Sequence, residues 1–143
     1  MSTLWEEDEL EQPRRGILLT IFATLFAVAA VQDLLKPFHL EGPNTGLVFF
    51  GIRLGGTANV VMSIVLAIFL VSDAVGVWRM NRYALPLGLF YAVYVLINLV
   101  VFSVKYSDQD NGPLAFLIVF IAGAVAIPWG AVLILWRHRA QLV

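Results

Sequence analysis

The chain holds no cysteine, which excludes disulfides, thiolate chemistry, iron–sulfur clusters and cysteine-ligated zinc. Charge is nearly as scarce: 13% of its 143 residues are Asp, Glu, Lys or Arg, against 60% that are apolar. A soluble domain of this length could not cover so much apolar side chain with so few charges. Histidine occurs only as His39 and His138, both outside the long apolar runs and on opposite sides of them. They cannot share a metal, and a haem bridged by two membrane histidines has no place to sit. A Gly-rich phosphate loop, G-x-S-x-G and a plausible Ser/His/Asp set are also missing. Neither an enzyme nor a resident cofactor or metal is expected. The net charge of −1 and pI near 6.0 give no electrostatic footprint for nucleic acid.

What the chain does have is apolar length. Its mean hydropathy is +0.86. Four runs, about 16–35, 54–77, 84–104 and 114–136, each suffice to span the roughly 30 Å hydrocarbon core at about 1.5 Å per residue. Short connections imply antiparallel neighbours. The expected fold is an all-α four-transmembrane-helix bundle in one domain, 16–139, with a C-terminal tail at 140–143. Residues 1–15 read as an acidic cytoplasmic leader, since Glu6, Glu7, Asp8, Glu9 and Glu11 stand where a signal peptide would be basic. Thr3 to Glu6 matches a capping box, so either a short helix from Leu4 to Glu11 or a solvated tail fits.

The second run organises the rest. Gly51, Gly55, Asn59, Ser63 and Ala67 recur at every fourth position and predict a close-packing helix face. Gly88 and Ala92 on the third run, and Ala122, Ala126 and Gly130 on the fourth, predict matching faces. Pro128 falls inside the fourth run and predicts a kink. Residues 47–52 are apolar but are followed by Arg53. Either the second span begins near Leu47 with Arg53 buried, or this segment lies in the interface; the cost of a charge deep in the bilayer favours the second.

Lys and Arg placement sets the orientation. Arg14, Arg15, Arg79, Arg82, Arg137 and Arg139 lie on one side, and only Lys36, Arg53 and Lys105 on the other. Both termini are therefore expected in the cytoplasm, with Trp5, Trp78, Trp129 and Trp136 as interface anchors on that side.

In lipid, every polar group needs a protein or water partner. Asp33, Arg53, Asn59 and Asn98 fall in the outer half of the bundle and form the candidate ligand-binding set. They could line a polar pocket for a headgroup, a quinone-like ligand or an ion. Alternatively Asp33 pairs with Arg53 or Lys36 while Asn59 bonds Asn98, which would merely lock helix register. Asp73 is the other ionisable group within a span. It is either a proton or cation site, or is satisfied near the headgroups by Arg79, Arg82 or a tyrosine; the second is favoured, since no other carboxylate is there to form a relay.

Gly76, Trp78, Arg79, Arg82, Tyr83 and Ala84 form a G-x-W-R helix end followed by a basic residue, an aromatic and an alanine. This stretch resembles a pattern in small uncharacterised bacterial four-span membrane proteins, which implies a bacterial inner (cytoplasmic) membrane location and no particular activity. Asp33, Leu34, Leu35 and Pro37 look similar to the ligand carboxylate region of sterol-binding four-span proteins of the EXPERA type, whose second-span glutamate this chain lacks. The leading expectation is a non-catalytic accessory or scaffold subunit, partnered by the bilayer and by other membrane subunits or copies of itself. The alternative is a binder or carrier of a lipid-like small molecule through the outer polar cluster.

Overall fold

A computed structural model of the chain describes residues 16–38, 46–105 and 114–143. The acidic leader, the loop with His39 and the loop with Asp108 and Asp110 lie outside the described residues. Four long helices dominate: α1 (Ile17–Leu35), α2 (Gly56–Trp78), α3 (Ala84–Lys105) and α4 (Leu114–Arg137). All four are long and apolar enough to cross a membrane, which marks an integral membrane protein. Large apolar side chains such as Ile17, Ile68, Phe90 and Val119 cover their outward faces, as a lipid-facing surface requires.

Local chemistry explains where the helices stop. Gly16 and Gly55 are extended residues that open α1 and α2. Pro37, lacking an N–H, ends α1 in a short 3-10 turn over Lys36–Phe38. At the end of α2, the Asn81 N–H donates to the Gly76 carbonyl at 2.9 Å and the Met80 N–H to that of Val77 at 3.2 Å. This is a Schellman closure, with Met80 at φ 53° in the left-handed position usually held by glycine. Met80 is 1% exposed, so packing holds it where backbone preference would not.

The helices pair as two antiparallel hairpins, α1 with α2 and α3 with α4, which meet one another more sparsely. On α1 the buried residues are Leu19, Ala23, Phe26, Ala30 and Asp33, and on α2 they include Asn59, Ser63, Ala67, Leu70, Ala74 and Val77. Both sets recur at steps of three and four, the spacing of one helix face. Small residues at Ala23, Ala30, Ser63, Ala67 and Ala74 bring the two backbones close. Gly88 and Ala92 are likewise buried on α3.

Not every small residue faces inward. Gly51 and Gly55 precede α2, so they do not extend its packing face, and Gly55 has open space around it. Ala122 and Ala126 on α4 are exposed, and only Gly130, one turn farther along the same face, abuts another helix, at Phe22 of α1.

Residues 47–53 form neither a span nor a flat interfacial segment. Val48–Phe49 and Ile52–Arg53 pair as antiparallel strands β1 and β2, in register Val48 with Arg53 and Phe49 with Ile52. The turn residues Phe50 and Gly51 have φ of 47° and 72°, the left-handed pair of a two-residue hairpin turn. Gly51 is required there, since a Cβ would collide with the Val101 side chain on α3. This β-hairpin marks one end of the bundle, the hairpin end. The other carries Arg79, Arg82, Arg137 and Arg139 and is called the basic end.

At the basic end the tail folds back. The Arg82 N–H donates to the Val143 carbonyl and the Val143 N–H to the Met80 carbonyl, both at 2.9 Å. The Arg82 guanidinium adds a 3.1 Å bond to the Leu142 carbonyl, and Leu142 is buried beneath it.

Candidate functional site

The outer polar residues separate into two groups. Asn59 and Asn98 do not bond each other. The Asn59 side-chain oxygen accepts the Leu47 N–H at 2.9 Å. The Asn98 oxygen accepts the Gly51 N–H at 2.8 Å, while its amide donates to the Val48 carbonyl at 3.1 Å. The Tyr94 hydroxyl donates to that carbonyl as well, at 3.3 Å. Both asparagines are thus used up in clamping the hairpin backbone, whose polar groups have no helix to satisfy them. Recognising Phe50-Gly51 as a turn would have pointed to these partners.

Asp33 pairs with Lys36, one turn along its own chain, and not with Arg53. Arg53 is exposed at the base of the hairpin and lines neither of the cavities described next. Asp33 and Lys36 line both of two adjoining cavities, of about 470 and 320 Å³. The two share Tyr91, Val95, Phe120 and Ala124, and together form one cleft among α1, α3 and α4 that runs beneath the hairpin. Their size lies in the range of roughly 300–1,000 Å³ typical of small-molecule sites.

The cleft lies toward the hairpin end, beyond a close approach of α1 and α4. Near the basic end Gly130 lies so close to Phe22 that a Cβ there would be 2.9 Å from the ring. Toward the hairpin end, Leu25, Val28 and Ala29 of α1 face Val119, Gly123 and Ile127 of α4 across the larger cavity. Pro128 contributes chemistry too. It has no N–H to give the Ala124 carbonyl, and both residues line the cleft. The walls of the larger cavity are otherwise apolar, with polar groups at Gln32, Asp33, Lys36 and Tyr91, and the smaller one adds Tyr94 and Asn98. Asp33 is 5% exposed, and the Tyr91 and Tyr94 hydroxyls lie within electrostatic range of its carboxylate.

Tyr91 has a second side. A third cavity of about 230 Å³ lies between α2, α3 and the hairpin, walled by Phe49, Phe50, Phe69, Phe90, Tyr91 and Tyr94. The rings meet at centroid distances of 4.7–6.2 Å, mostly edge-on or tilted.

Asp73 is where sequence reasoning failed most plainly. It is wholly buried, and neither carboxylate oxygen has a hydrogen-bond partner. The groups expected to satisfy it are engaged elsewhere: Tyr83 donates to the Ser72 carbonyl and Arg82 to Leu142. Asp73 points into the bundle because it shares the face of Leu70, Ala74 and Val77. The Ser63 hydroxyl, also wholly buried, has no partner either. Among the described residues, no three His, Asp or Glu side chains come together as a metal site.

No protein-family model matches the chain, and no curated protein or solved structure matches it either. The class is that of a four-helix integral membrane protein with a cleft among α1, α3 and α4.

Proposed function

We propose that the protein binds an amphiphilic, lipid-like small molecule in the cleft among α1, α3 and α4, with the apolar body between α1 and α4 and the polar head at Asp33 and Lys36. The observation that carries this reading is a ligand-sized apolar space that ends in a buried carboxylate paired with a half-exposed ammonium. Asp33 is also the residue on which the EXPERA likeness rests. The distribution of Lys and Arg supports both termini in the cytoplasm and hence a cleft in the outer half of the bilayer, and the likeness over Gly76 to Ala84 supports a bacterial inner membrane. Because the native chain lacks cysteine, single cysteines at the exposed positions Thr57 and Gln141 test that orientation directly. Only Thr57→Cys should react with an impermeant maleimide added outside intact cells; the reverse result overturns the orientation.

The binding test uses the same cleft. Gly123 lines it and has nothing within 4 Å of its Cβ position, so Gly123→Phe fills the space without a clash. Wild-type protein extracted gently should carry a co-purified lipid-like mass by native mass spectrometry, and Gly123→Phe should lose it. An unliganded wild type, or equal ligand on both, contradicts the reading.

The accessory-subunit reading keeps one supporting observation, the small exposed face of Ala122 and Ala126, where another helix could approach closely. Companions in the native mass that are lost on Ala122→Leu with Ala126→Leu would favour it.

A further inference from the structure

Asp73 sits nearer the basic end in sequence, and buried side chains lie on that side of it. Between it and that end stand Val77, Met80, Ala84 and Leu135, each no more than 1% exposed, with Leu142 beyond them. Gly76 abuts Tyr83 and Ala84 so tightly that a Cβ would lie 2.7 Å from the tyrosine ring. Gly88 of α3 faces the carboxylate, with its Cβ position 3.7 Å from both oxygens. Tyr91, one turn farther along the same helix, borders every cavity described above and lies within electrostatic range of both Asp33 and Asp73. Tyr91 and Phe26, edge to face at 6.0 Å, both line the cleft.

A carboxylate out of solvent, with no donor and no cation against it, has nothing to replace its hydration. At the depth of Asp73, α1 and α4 supply apolar groups such as Phe22 and Val132, and α3 supplies Gly88 and the Tyr91 hydroxyl. Along the chain the nearest charges are Arg79 and Arg82 at the basic end and Arg53 in the hairpin, and the cleft toward the hairpin end holds Asp33 and Lys36. We propose that Asp73 is a proton-binding site, whose proton enters and leaves from the hairpin side, through the cleft past Tyr91, and not from the basic end. The carboxylate takes up one proton and becomes a neutral acid, and releasing it returns the charge. This holds whether or not the cleft binds a ligand.

The test is infrared spectroscopy of the full chain in lipid nanodiscs, with aspartate carrying a carbon-13 side-chain carboxyl. At neutral pH the wild type should show an isotope-shifted carboxylic acid band that Asp33→Asn keeps and the near-isosteric Asp73→Asn removes. Gly88→Ala, which sets a methyl in ordinary contact with the oxygens, should shift that band, and it assigns the band alone if Asp73→Asn fails to fold. On transfer to heavy water, Tyr91→Ala should exchange the proton several-fold faster than wild type, while Leu135→Ala, which thins the basic-end seal, should not. Absence of an aspartic acid band, its survival in Asp73→Asn, or an unmoved band in Gly88→Ala overturns the site. Exchange in Leu135→Ala as fast as in Tyr91→Ala, including the case where neither moves, overturns the one-sided route.

Discussion

The two ends of this bundle solve opposite problems with similar residues. At the basic end, glycine and alanine remove volume so that helices close on one another: Gly76 against Tyr83 and Ala84, Gly130 against Phe22. Toward the hairpin end, α1 and α4 face each other across the cleft that Gly123 and Ala124 border. A small residue is therefore a packing device only where a partner backbone comes to meet it. The polar groups divide along the same line. Near the hairpin, Asn59, Asn98 and Tyr94 bond the backbone of a short β-element and the residue before it, whereas the buried Asp73 carboxylate has no hydrogen-bond partner.

The sharpest way to break this contrast is to add volume at both kinds of site. Gly76→Val drives a branched side chain into Tyr83 and should cost about 3 kcal/mol of stability, at the high end for overpacking. Thermal unfolding in detergent should show this loss, while Gly123→Phe stays close to wild type. Next in size is Asn98→Leu, which leaves the Gly51 N–H unpaired and takes one donor from the Val48 carbonyl. It should cost about 2 kcal/mol and selectively raise hydrogen exchange at residues 47–53. The smallest effect is expected at Ser63, whose wholly buried hydroxyl makes no bond. Ser63→Ala should be neutral or stabilise by under about 1 kcal/mol, since it removes an unsatisfied group of similar size. A clear loss there would mean that the hydroxyl has a partner.

Helix number and approximate bounds were legible because apolar runs this long have few alternatives. The hairpin was not. Residues 47–53 carry too few residues for periodicity to register, and their alternative readings both assumed a helix or a flat segment. Once it was misread, Asn59 and Asn98 had no visible partner except one another. Asp33 could be placed beside Lys36 from helical spacing alone, but the cleft they border depends on how far α4 diverges from α1. That divergence is a property of two helices far apart in sequence. Ala122 and Ala126 show the same limit, since periodicity finds a small face without saying what it meets.

The central claim is that α1 and α4 are closed at the basic end and open at the hairpin end. Spin labels at the exposed positions Gln32 and Val119 flank the mouth, and labels at Ile21 and Leu133 flank the closed end. Pulsed electron resonance in nanodiscs should give a longer distance for the mouth pair, and Gly123→Phe should leave the Ile21–Leu133 distance unchanged. Equal distances at the two ends, or a shorter one at the mouth, would contradict the cleft and every function read from it.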